Sequence, residues 1–140
     1  MGKVVTPYDD LTYQIIGLAM AVHRELGPGF PEKIYQTAMS LAMASERVPF
    51  DNEFPVTVFF REQLVGKFKL DLVVAQTVIV ELKAVEALTA LHIQQVIAYL
   101  TASGLPIGLL INFGTPSLQH KRLFPPAAVQ ASSAFHQRKE

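Results

Sequence analysis

The chain has 140 residues, half of them hydrophobic, and its twelve lysines and arginines balance twelve aspartates and glutamates. That length suits one compact domain burying roughly two-thirds of the surface its unfolded chain exposes, and the balanced charge withholds the basic excess of many nucleic-acid binders. Cysteine is absent, which excludes disulfides, thiolate zinc sites and cysteine nucleophiles. With no basic-then-apolar leader and no apolar run near the ~20 residues that cross a bilayer, a soluble cytoplasmic protein without a membrane partner is expected. Gly2 followed by Thr6 fits the permissive N-myristoylation pattern, which carries little information alone.

Ile15, Ile16, Ala19, Val22 and Leu26 recur with a helical period behind the start signals Thr6-Pro7 and Asp9-Asp10, predicting a helix over residues 8–26. Gly27-Pro28-Gly29 ends it, and Pro31 opens a second helix to about residue 47 with Ile34, Tyr35, Ala38, Leu41 and Ala42 as its stripe. The Gly-Pro-Gly turn lacks the Gly-Lys-Ser/Thr ending of a phosphate-binding P-loop and reads as a turn aiming Glu32 at the sheet. Residues 56–60, 64–74 and 77–83 form a three-stranded meander with turns at Arg61-Glu62-Gln63 and Ala75-Gln76. A helix over 88–103, closed by Gly104 and Pro106, returns the chain by a right-handed crossover to a buried strand at 107–113, with an edge strand at 118–124. The expected class is α/β, with helices packed on a mixed central sheet. Residues 1–124 form the domain, and 125–140 a short helix or flexible tail.

Acids stand out in this frame. Asp71 lies in one apolar strand of the meander and Glu81-Leu82-Lys83 in the next. A turn at Gln76 puts Asp71 opposite Glu81, with Lys83 on the same face, so two carboxylates and an ammonium converge. Like charges in a half-buried sheet are unfavourable unless a cation lies between them or one is protonated. A hard divalent cation, Mg²⁺ or Mn²⁺, resolves the conflict and points to phosphodiester hydrolysis, with Lys83 orienting the attacking water and stabilising charge on the phosphoryl group. The competing reading is a plain ion pair between Lys83 and either acid, with Lys67 or Lys69 sharing the charge. Glu86 is a further candidate partner for Lys83. No Ser-His-Asp arrangement is apparent, and His23, with no second histidine at i+4, reads as a packing or surface residue.

Several separated stretches carry a resemblance. Gly29-Phe30-Pro31-Glu32-Lys33-Ile34-Tyr35 fits G-x-x-E-x-x-Y, and VHRELGPGF, DLVVAQTVIVELKAV, HIQQVIAYL and GLLINFG follow the same family's order. From about Leu11 to Phe124 the chain resembles the GxxExxY protein family, a branch of the PD-(D/E)XK nuclease superfamily. The resemblance implies an α-β-β-β-α-β, restriction-endonuclease-like core and Mg²⁺-dependent cleavage of nucleic acid, DNA before RNA. It assigns Asp71, Glu81 and Lys83 as catalytic, with Glu32 from the helix and Gln95 and Tyr99 from a Q-x-x-x-Y element; Leu70 stands where such nucleases carry a proline. The metal set is Asp71, Glu81, the Leu82 carbonyl and Glu32. His92, Gln95 and Tyr99, at helical spacing, would contact substrate or steady Lys83 and Glu81; otherwise they form a polar helix edge, and Glu32 a first-turn acid favoured by the helix dipole. Two other classes stand beside the nuclease: a nucleic-acid-binding or protein-interaction module that keeps the fold without cutting, and a subunit of a larger assembly, with Phe59, Phe60 and Phe124 supplying a dimer surface.

Overall fold

The computed structural model describes residues 5–127. The Gly2 pattern begins outside these residues, as does the expected tail after Ala127. The element order is α1 (Asp9–Leu26), α2 (Glu32–Ser45), β1 (Phe50–Phe60), β2 (Gln63–Val74), β3 (Val78–Lys83), α3 (Ala90–Ser103), β4 (Ile107–Asn112) and β5 (Gln119–Leu123). The five strands lie in the order β1-β2-β3-β4-β5. All neighbours are antiparallel except β3 and β4, which run parallel across the α3 connection.

The helices cover both faces. Ile15, Ala19, Tyr35 and Met39 of α1 and α2 pack on Leu72, Val80, Leu82 and Leu109; Val96 and Leu100 of α3 pack on Leu70, Val73, Ile79 and Leu110. Covered on both sides, β3 and β4 read as continuous apolar runs rather than alternating ones. The approach of α3 is close: a Cβ on Gly108 would lie 2.8 Å from Val96 Cγ1.

Local chemistry sets the ends. Asp9 in the first turn of α1 accepts the Thr6 N–H and hydroxyl, at 3.2 and 2.8 Å. α3 starts two residues later than its periodicity suggested because Thr89 caps it, the Thr89 hydroxyl accepting the His92 N–H while His92 Nδ1 accepts the Thr89 N–H at 3.0 Å. This is a capping box with histidine in the place of Glu or Gln. Gly104, left-handed at φ 76°, closes α3.

β1 begins six residues before the expected start, at Phe50. The polar run Asp51-Asn52-Glu53 and Pro55 hid it, yet both are tolerated because β1 is an edge strand. Both hairpin turns occur as expected, and both use non-glycine residues with positive φ: Arg61 and Glu62 (51° and 65°), then Ala75 and Gln76 (52° and 55°). Such φ pairs give the twist that matches right-handed strands.

Candidate active site

The alternation of faces breaks at Asp71. Phe68 and Leu70 face α3, whereas Leu72 and Val74 face α1 and α2, so residues two apart lie on opposite faces. Across from Asp71, Glu53 is left-handed at φ 52° and is passed over between the pairs Asn52↔Leu72 and Phe54↔Leu70. The β2–β3 ladder stops at Leu72↔Val80. Asp71 thus stands opposite Glu81 in register, as the turn geometry suggested, but without a ladder pairing to it. Its Oδ2 instead accepts the Leu82 N–H at 2.9 Å, a side chain standing where a ladder carbonyl would be. The N–H and C=O of one strand residue point the same way, so the Leu82 carbonyl faces the Asp71 edge as well.

Glu81 is buried, and its Oε1 has no hydrogen-bond partner. Burial, then the neighbouring Asp71, pushes its carboxyl up to about 8 against the pull of Lys83. Asp71 is also raised, by burial first, opposed by the Leu82 N–H and aided by Glu32. Lys83 Nζ donates to Gln95 Oε1 at 2.8 Å and lies 3.7 Å from Glu81 Oε2. The expected Lys83–Glu81 ion pair is therefore present, while burial and the neighbouring Asp71 work against the ionised carboxyl. Glu86 is exposed, and Lys83 is engaged by Glu81 and Gln95.

Glu32 lies exposed at the first turn of α2 and reaches the two acids through its charge. Among the described residues no group of three or more acidic or histidine side chains is arranged to hold a metal ion. The preformed donors are two carboxylates whose raised titration and orphaned Oε1 suit a hard cation. Gln95 holds Lys83, and Tyr99, one turn further along α3, has its hydroxyl raised by burial and then by the Glu81 and Asp71 charges. His92 is turned to the capping box of α3. His23 packs, with its ring near Phe113 and Nε2 2.8 Å from Thr115 O.

Gln36 and Glu53 belong to the surroundings of Asp71 although no motif announced them. Buried Gln36 donates through Nε2 to the Asp71 carbonyl at 3.2 Å and to Glu53 Oε2 at 2.7 Å, and Gln36 is the main reason the Glu53 carboxyl is held low. For Gln36 the signal is its i, i+4 spacing from Glu32, which puts these two residues on one helix face; Glu53, in β1, carries no such signal.

The backbone after Lys83 is clamped too. Asn112, fully buried, accepts the Val85 N–H at 2.9 Å and donates to the Val85 carbonyl at 3.0 Å. Phe113 N–H donates to the Lys83 carbonyl at 2.8 Å. Phe113 stacks on Tyr35, with centroids 4.6 Å apart, and the Tyr35 hydroxyl donates to the Gly27 carbonyl at 2.6 Å. The turn before Glu32 and the turn after Lys83 are thus joined through two rings. A cleft of about 490 Å³ between α1 and β5 lies apart from this chemistry, its Asp9 carboxylate engaged by Thr6 and, at 2.6 Å, by Arg122.

Among solved structures the chain is similar to SSO0001, a protein of known crystal structure, with a TM-score of 0.54 and 15% identity over 94% of this chain and 69% of that one, a likeness of fold. A search of curated proteins finds no match. The model of the PD-(D/E)XK nuclease superfamily matches residues 9–123. Because that match runs from the first turn of α1 to the last residue of β5, the chain belongs to the PD-(D/E)XK nuclease superfamily.

Proposed function

We propose that this chain is a metal-dependent nuclease that hydrolyses phosphodiester bonds, DNA in preference to RNA, and that it stands in the GxxExxY branch of the superfamily. The observation that carries the reading is the buried, unpartnered Glu81 Oε1 beside Asp71, with Lys83 held at its edge. Asp71, Glu81 and the Leu82 carbonyl would hold Mg²⁺ or Mn²⁺, with Glu32 as an outer ligand. When bound, such an ion polarises a phosphate oxygen and neutralises charge that develops on it.

The chain's own groups do the rest. Gln95 fixes the Lys83 ammonium, which orients the attacking water and stabilises the phosphoryl charge. Gln95 and Tyr99 are the substrate-positioning candidates on the same helix, while His92, the third residue expected there, is engaged in the capping box. The alternative, a nucleic-acid-binding or protein-interaction module that does not cut, draws support from the balanced net charge. Cleavage of labelled single- and double-stranded DNA and RNA with Mg²⁺ or Mn²⁺, wild type against Lys83→Ala, tests the reading. Activity lost in the variant is expected; equal activity in both removes Lys83 from its role, and no cleavage by the wild type favours the module.

A further inference from the structure

The β1–β2 hairpin outruns the sheet. β3 pairs only with residues 72–74 of β2, whereas β1 and β2 stay paired out to Phe60↔Gln63. The projecting arm passes over α3 and leaves a cleft of about 460 Å³ lined by Val58, Phe59 and Phe68 from the arm and Ala98, Tyr99 and Ala102 from the helix. That volume and apolar, aromatic lining fall in the range of small-ligand sites. Phe68 and Tyr99 stack inside it, with centroids 4.6 Å apart and planes 23° from parallel.

Two observations say what enters. First, the cleft lies beside the acidic site, because Tyr99, which lines it, stands one turn along α3 from Gln95, the residue that holds Lys83. Second, Lys67 and Lys69 precede and follow Phe68 on the strand, exposed on its other face, with Arg61 at the arm's tip. An aromatic slot on a basic arm is complementary to a planar ring carried on an anionic chain. A base inside a duplex is stacked and paired on both sides, so a slot walled by a helix and a strand admits only one that is free.

We propose that the cleft between the projecting hairpin and α3 receives an unpaired nucleobase of the substrate strand, next to the phosphodiester held at Asp71 and Glu81. The inference deepens the nuclease reading by making single-stranded segments or frayed ends the preferred substrate. The phosphates track the basic arm while the base leaves the strand to pack against the stacked Phe68–Tyr99 pair.

Fluorescence anisotropy in a Lys83→Ala background, where the strand stays whole, tests it with labelled oligothymidylate against a strand of equal length made of abasic residues. The base-bearing strand should bind about 5- to 100-fold tighter, the range for loss of one or two aromatic stacks. Ala98 is exposed on α3 and lines the cleft; Ala98→Leu fills it and should bring both strands to one affinity with the circular dichroism unchanged. Phe68→Leu should act in the same direction. Equal affinities before any cleft substitution, no binding of either strand, or a base preference that survives Ala98→Leu each overturns the proposal. Cleavage by the wild type is scored separately: base preference without cleavage keeps the cleft and rejects the nuclease, and cleavage without base preference does the reverse.

Discussion

Asp71 Oδ2 accepts the Leu82 N–H at 2.9 Å, so the acid nominated for chemistry also completes the edge of β3. The two roles separate by substitution. Asp71→Asn keeps an acceptor oxygen and removes a negative charge beside the Glu81 carboxyl, so its melting temperature should equal or exceed wild type while cleavage and Mn²⁺ uptake are lost. Asp71→Ala leaves a buried N–H unpaired and should cost roughly 1–3 kcal/mol in denaturant unfolding. Equal stability of the two variants would show that the hydrogen bond does not matter.

Glu81 gives the pH dependence. Its carboxyl is raised in the folded protein from an ordinary 4.5 to about 8, so between those values the folded state binds more protons than the unfolded state, and stability falls as pH rises. Without divalent metal, thermal melts should show that fall across pH 5 to 8, amounting to no more than roughly 4 kcal/mol. Glu81→Gln should flatten the curve. A wild-type curve that rises with pH would contradict the assignment. With Mn²⁺ present, calorimetry should show proton release on binding at neutral pH, because the cation takes the ionised form.

Gln95 positions Lys83 without carrying charge. Gln95→Ala should lower the cleavage rate by roughly 10- to 100-fold, the size typical of lost supporting partners, with Mn²⁺ affinity near wild type. A change in metal affinity and no change in rate would place Gln95 in the metal site instead.

Gly114 is fixed by backbone rather than by side chains. A Cβ there would land on the Val85 backbone and 2.7 Å from the Ala84 carbonyl carbon. Gly114→Ala must push the segment after Lys83 away from β4, and urea unfolding should report a loss of roughly 1–3 kcal/mol. Asn112→Leu, which orphans both polar groups of Val85, should cost at least as much.

The turn at Ala75-Gln76 runs the other way. Gln76 is left-handed at φ 55° without being glycine, and Gln76→Gly should raise stability by roughly 1 kcal/mol by relieving that conformation. An unchanged melting temperature would show that the turn is not strained.

The meander and the three helices were legible because their periods are clean: 3.6 residues in α1, and continuous apolar runs in β3 and β4. The first half of β1 was not, since an edge strand need not alternate and Pro55 reads as a break. Asp71, Glu81 and Lys83 were legible as charges out of place among apolar neighbours. How Asp71 meets β3 was hidden, because it depends on a break in alternation shared by two strands, and no local pattern records such a break. Gln36 was hidden for a related reason: a polar residue on a helix looks solvated until the sheet beneath it is known.

The matched irregularity at Glu53 and Asp71 makes the two strands interdependent in length. Each strand changes face at that point, and the pairing resumes in unchanged register on either side. Removing Glu53 alone would shift every β1 residue before it by one place and turn its partners to the wrong face, whereas losing a residue from both strands would restore plain alternation and carry away the acid. Insertions and deletions in β1 are therefore constrained by a carboxylate that β1 does not contain.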